Sequence, residues 1–126
     1  MRGRVFFLAG SVFGFLGVAA GAFGAHALKA RLSPEMLAVF EIAVKYQLIH
    51  AVVLLVVALA FNYFQSFSLR AAGFLFIEGI LIFSGSLYAL SLSGVKAWGA
   101  VTPLGGLMLL SGWMFLIVAG LRQKKK

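Results

Sequence analysis

The run VFFLAGSVFGFLGVAAGAFGAHA, Val5 to Ala27, decides how the rest of the chain is read. It is long enough to cross the hydrocarbon core of a bilayer as one helix, which takes about 20 apolar residues. Gly10, Gly14, Gly17, Gly21 and Gly24 recur at a 4-3-4-3 spacing, so a helix places all five on one narrow face. That face carries no side chains. In lipid, apolar burial does not drive helices together, and a smooth glycine face lets a second backbone approach closely and gain dispersion contacts. The stretch predicts a first membrane span that serves as the surface on which the other helices pack.

The composition agrees. Of 126 residues, 63% are hydrophobic and 11% charged, with a mean hydropathy of +1.06, against roughly 45–50% apolar and about 25% charged in a soluble domain. No linker, internal repeat or low-complexity tract divides the chain, so residues 1–126 read as a single membrane domain. The net charge of +8 lies at the ends of apolar runs rather than along one soluble face. It therefore reads as topology signal and contact with anionic membrane lipids, and no nucleic-acid partner is expected. The lack of cysteine excludes disulfides, thiolate catalysis, zinc–thiolate sites and cysteine-ligated iron–sulfur clusters. Arg2 and Arg4 before the apolar run, and Ala25-His26-Ala27 after it, imitate a secretory signal. The run is too long for one, about 21 residues against the roughly 7–15 of a signal core, so an uncleaved span is expected.

Outward from this stretch, Ser33-Pro34-Glu35 reads as a helix start, with Ser33 as N-cap, Pro34 at the first helical position and Glu35 favourable to the helix dipole. Residues 34–47 are amphipathic and 47–62 almost wholly apolar, which predicts an elongated second helix that begins at the membrane surface and then enters. Tyr63, Phe64 and Phe67 read as an interfacial aromatic cluster in the loop ending at Arg70. Further spans are expected at 71–92 and 99–121, with Pro103 in the first turn of the last, where proline costs least. The fold class is all-α, an antiparallel bundle of four transmembrane helices (5–27, 47–62, 71–92, 99–121). Arg2, Arg4, Arg70, Arg122, Lys124, Lys125 and Lys126 fall on the side of the termini, and Lys29, Arg31, Lys45 and Lys96 on the other. Seven against four places both termini in the cytoplasm.

Polar residues within the spans carry what functional signal there is, since an unpaired one costs several kcal/mol in hydrocarbon. Tyr46 and His50 are i, i+4 and Gln47 and His50 are i, i+3, so the three share a face. With His26 ending the first span, Ser84 and Tyr88 late in the third and Thr102 opening the fourth, they are expected to converge toward the outer leaflet. Such a cluster reads either as an interhelical hydrogen-bond network or as a pocket for a lipid headgroup or a quinone. Two histidines raise haem, but the glycine face closes the slot a haem needs, and the depths of His26, His50, Glu41 and Glu78 disagree for zinc. No cofactor, metal or catalytic residue is expected. Glu78, inside the third span, reads either as an intramembrane proton or ion site or as a neutral carboxyl bonded across a helix interface or reaching toward headgroups.

Gly21-Ala22-Phe23-Gly24-Ala25-His26-Ala27-Leu28, Tyr46-Gln47 with His50-Ala51, Phe83-Ser84-Gly85-Ser86-Leu87-Tyr88 and Thr102-Pro103-Leu104-Gly105-Gly106 together resemble, in this order, the YgdD-like family of small bacterial inner-membrane proteins, related to a mitochondrial membrane protein of animals. The resemblance covers almost the whole chain. It implies a four-span protein of the bacterial cytoplasmic membrane with no cleaved signal, and brings no activity, substrate or cofactor. Glu41-Ile42-Ala43-Val44-Lys45 departs from the small hydroxyl residue and alanine common there, so no role is assigned to Glu41 or Lys45. The expected function is that of a non-enzymatic accessory or scaffolding bundle, associating with itself or with a larger membrane complex. A lipid- or quinone-binding protein and a small proton-linked transporter or channel using Glu78 are the alternatives.

Overall fold

The computed structural model describes residues 2–123; the basic stop at Lys124, Lys125 and Lys126 lies outside them. Four helices long and apolar enough to cross a membrane account for nearly all of it: α1 (Arg4–Leu28), α2 (Pro34–Ala60), α3 (Phe67–Ser93) and α4 (Trp98–Leu121). There is no strand among the described residues.

Local chemistry sets the helix ends. The Ser33 Oγ accepts from the Met36 N–H at 3.2 Å, with Pro34 next, as the sequence predicts. A second cap was not anticipated. The Ser66 Oγ accepts from the Leu69 N–H at 3.0 Å, so α3 starts at Phe67 rather than after Arg70. At its other end Gly94 adopts φ +72° and returns its N–H to the Leu90 carbonyl at 2.8 Å, a left-handed stop that other residues adopt only with strain. α1 contains a π-helical turn, Ala20–Gly24. Pro103 is the sixth residue of α4, in its second turn rather than its first, the helix beginning at Trp98.

The helices pack in sequence order, α1 on α2, α2 on α3 and α3 on α4, and the backbones of α1 and α4 do not approach each other. The glycine stripe is where the sequence puts it, but it serves α2 alone. Gly10 lies over Ala51 and Leu54, Gly17 over Leu48, Gly21 over Val44 and Gly24 over Phe40, and Gly3 extends the contact to Ala58. A stripe one residue wide admits one neighbour, so α1 is an edge and not the hub. The central pair is α2 and α3, which supply most of the core, including Leu54, Val57, Phe61, Leu69, Phe76 and Ile80. α1 reaches α3 chiefly through Phe6, whose ring fills the space over Gly73, stacks on Phe61 at 5.6 Å and meets Phe74 edge-on at 5.0 Å.

α2 is unbroken and packed against α1 along its length, from Phe40 beneath Gly24 to Ala58 beneath Gly3. Residues 34–47 therefore belong to the same packed helix as 47–60, with Glu41 and Lys45 exposed on its outer side. The closest backbone approach joins α3 and α4. Gly79 faces Leu109, Gly105 lies against the Phe83 backbone and Gly112 against the Phe76 ring, in antiparallel order.

Candidate functional site: a polar network across the helices

Gln47 falls at the middle of α2 and is 5% exposed. Its Nε2 donates to the Phe13 carbonyl of α1 at 2.9 Å, and its Oε1 accepts from the Tyr88 hydroxyl of α3 at 2.6 Å. One side chain thus joins three helices. About one turn away the Ser84 Oγ of α3 donates to the Ala43 carbonyl of α2 at 2.8 Å. Interhelical bonds of this kind contribute about 0.6 kcal/mol each on average and up to about 1.7.

His50 joins the fourth helix. Its Nε2 accepts from the indole N–H of Trp113 at 3.0 Å, and its Nδ1 lies 2.8 Å from the Tyr46 carbonyl. An indole N–H only donates and a carbonyl only accepts, so the neutral imidazole with its proton on Nδ1 satisfies both partners. The ring is packed between Phe76 and Trp113, with centroids at 5.5 and 5.8 Å. Both nitrogens are committed, and a metal could use Nε2 only by displacing Trp113. Among the described residues no group of three or more His, Asp or Glu gathers where a metal could be held.

The expected cluster is thereby divided. Tyr46, Gln47, His50, Ser84 and Tyr88 lie together, around the middle of α2 and in the second half of α3. Thr102 pairs with Ser86 instead, at 2.6 Å, and that couple links α3 to α4. His26 stands exposed at the end of α1 and takes no part. Glu78 is exposed on α3, apart from the network. Trp113 was missed by the sequence reading. Its one signal is position, an indole in mid-span, far from the interfaces where tryptophan usually sits and so in need of a partner for its N–H.

Two apolar clefts flank the network on different sides. One of about 320 Å³ lies between α1 and α3 over α2, with Phe13, Leu16, Leu81 and Ser84 around Gln47 and Tyr88. The other, about 510 Å³, lies between α2 and α4 over Phe83, beside Tyr46, His50 and Trp113. Trp113→Phe and His50→Leu should each lower stability by about 1 kcal/mol, and the double variant by less than their sum, read as thermal unfolding in micelles. Full additivity would mean that the Trp113–His50 bond carries no energy.

Four apolar helices joined by polar bonds that they supply to one another define a polytopic α-helical membrane protein. More narrowly, the chain belongs to the family described as "Protein of unknown function (DUF423)", whose family model matches residues 20–106. That match takes in Gln47, His50, Ser84, Tyr88 and Thr102 and stops short of Trp113. The chain is 40% identical over 119 residues to the UPF0382 membrane protein SERP0230 of Staphylococcus epidermidis, covering 94% of this chain and 97% of that one. It is 38% identical over 120 residues to the UPF0382 membrane protein YwdK of Bacillus subtilis, covering 94% and 98%. Against the UPF0382 inner membrane protein YgdD of Escherichia coli K12 it is 34% identical over 126 residues, covering 100% and 96%. No solved structure matches the chain. Nothing in these relatives' names indicates an enzymatic activity.

Proposed function

We propose that the protein is a non-enzymatic structural module of the bacterial inner membrane, with both termini cytoplasmic, which associates with itself or with another membrane protein. The observation that carries this reading is the state of the polar groups. Among the described residues every buried side-chain nitrogen and oxygen has a hydrogen-bond partner within the chain. Gln47, His50, Ser84 and Tyr88, the residues best suited to hold a ligand, use their bonds to join helices. A catalytic or ligand site keeps some polar capacity in reserve, and this network holds little. Meanwhile the outward faces of the helices are apolar, with Phe15, Phe23, Leu81, Leu107 and Met114 exposed on them.

Native mass spectrometry of the protein released from native-lipid particles tests this directly. A homo-oligomer or a complex with a second membrane subunit is expected. A lone monomer with no co-purifying protein overturns the reading, as does a stoichiometric quinone or haem mass that is lost with Gln47→Leu.

A further inference from the structure

The geometry points to pairing of the chain with a second copy of itself along the outer face of α3, the two Glu78 carboxyls hydrogen-bonded to each other at the seam. This rests on the self-association just proposed and narrows it to one face and one residue.

Glu78 is the twelfth of the 27 residues of α3, roughly 16 Å from one end of the helix and 22 Å from the other at 1.5 Å per residue. With a hydrocarbon core of about 30 Å centred on the helix, Glu78 lies about 12 Å from the nearer boundary, beyond the reach of a side chain with two methylenes. Snorkelling is therefore not an outlet. Its neighbours Gly79 and Ile80 take the buried side of the helix, against Leu109 and the core, while Glu78 itself is exposed. The side-chain hydrogen bonds of α3 come from Ser84, Ser86, Tyr88, Ser91 and Ser93, and among the described residues Glu78 makes none. A polar group placed like this is expensive in lipid, in contrast to the satisfied network on the other side of the same helix.

A second copy removes the expense without any further component. A carboxyl in hydrocarbon is tolerated in its neutral form, which carries one donor and one acceptor. A two-fold axis along the membrane normal brings each residue to the depth of its own counterpart. Two neutral carboxyls then form a cyclic pair, each O–H donating to the other's carbonyl oxygen.

The residues around Glu78 fit such a seam independently. Phe74, Glu78, Leu81 and Gly85 are spaced 4-3-4, the alternation that parallel paired helices use for knobs-into-holes packing. Phe74 is 44% and Leu81 58% exposed, and Gly85 has nothing within 4 Å of where a Cβ would stand, an open hole for a partner's knob. One polar residue within an apolar seam is the usual device for fixing its register.

The chain has no cysteine, so single cysteines report without background. In native membranes a membrane-permeant oxidant should give disulfide-linked dimers from Phe74→Cys, Leu81→Cys and Gly85→Cys. Val56→Cys and Leu110→Cys, equally exposed on α2 and α4, should give none. Adding Glu78→Leu should lower the Leu81→Cys dimer about tenfold, while Glu78→Gln, whose amide also donates and accepts, retains it. Failure to cross-link at the α3 positions, with a homo-oligomer still present in the native mass spectrum, overturns this inference and leaves the association reading standing. Dimers that are indifferent to Glu78→Leu also overturn it, and so does a foreign subunit lost from Glu78→Gln preparations.

Discussion

Gly105→Ala should lower the thermal unfolding midpoint in micelles sharply, whereas Gly120→Ala should raise it slightly. A Cβ at Gly105 meets the backbone nitrogen and Cα of Phe83, atoms that no rotamer change can move aside. Room comes only from spreading α3 and α4, and that also loosens the contacts of Gly79 with Leu109 and Gly112 with Phe76. Overpacking of this kind costs about 1–3 kcal/mol, and a clash with backbone belongs at the upper end. Gly120 has nothing within 4 Å, so its methyl brings only helix propensity, up to about 1 kcal/mol. Gly106 is the closest control, since there the nearest atoms are ring carbons of Phe83 at 3.8 and 3.9 Å, an ordinary contact. Equal loss from Gly105→Ala and Gly106→Ala would remove the close-approach account of the α3–α4 interface.

Gln47→Leu should be the most damaging change within the polar network, roughly 2 kcal/mol. It removes two interhelical bonds and strands the Tyr88 hydroxyl in an apolar cleft, a penalty of about 1–3 kcal/mol by itself. The cost should shrink in a Tyr88→Phe background, where no hydroxyl is left to strand. Thermal unfolding of the four members of this cycle measures the coupling. An identical cost in both backgrounds would show that the Gln47–Tyr88 bond is not formed in the folded protein.

What the sequence revealed and what it hid divide along physical lines. The helices, the Ser33 cap and the one-sided glycine stripe were legible because each is a local pattern. Which helix the stripe would meet was not, since a face without side chains carries no complementary code. The bond between Gln47 and Phe13 was hidden for a related reason. Its acceptor is a backbone carbonyl, and every residue has one. The Trp113–His50 bond spans 63 positions with no periodicity to suggest it. The distance of Glu78 from the start of α3 was underestimated because the Ser66 cap was read as loop, which set the start of α3 too late.

The sequential packing has a consequence for biogenesis. Each helix leaving the ribosome finds a packing partner already in the membrane, α1 for α2, α2 for α3 and α3 for α4. No early helix must wait for the last one to close a ring. Of the links that skip a neighbour, Phe6 reaching to Gly73 can form as soon as α3 arrives, and Trp113 reaching to His50 when α4 does. Such a chain can gain its native contacts in the order of its synthesis, with short loops to close and little to undo.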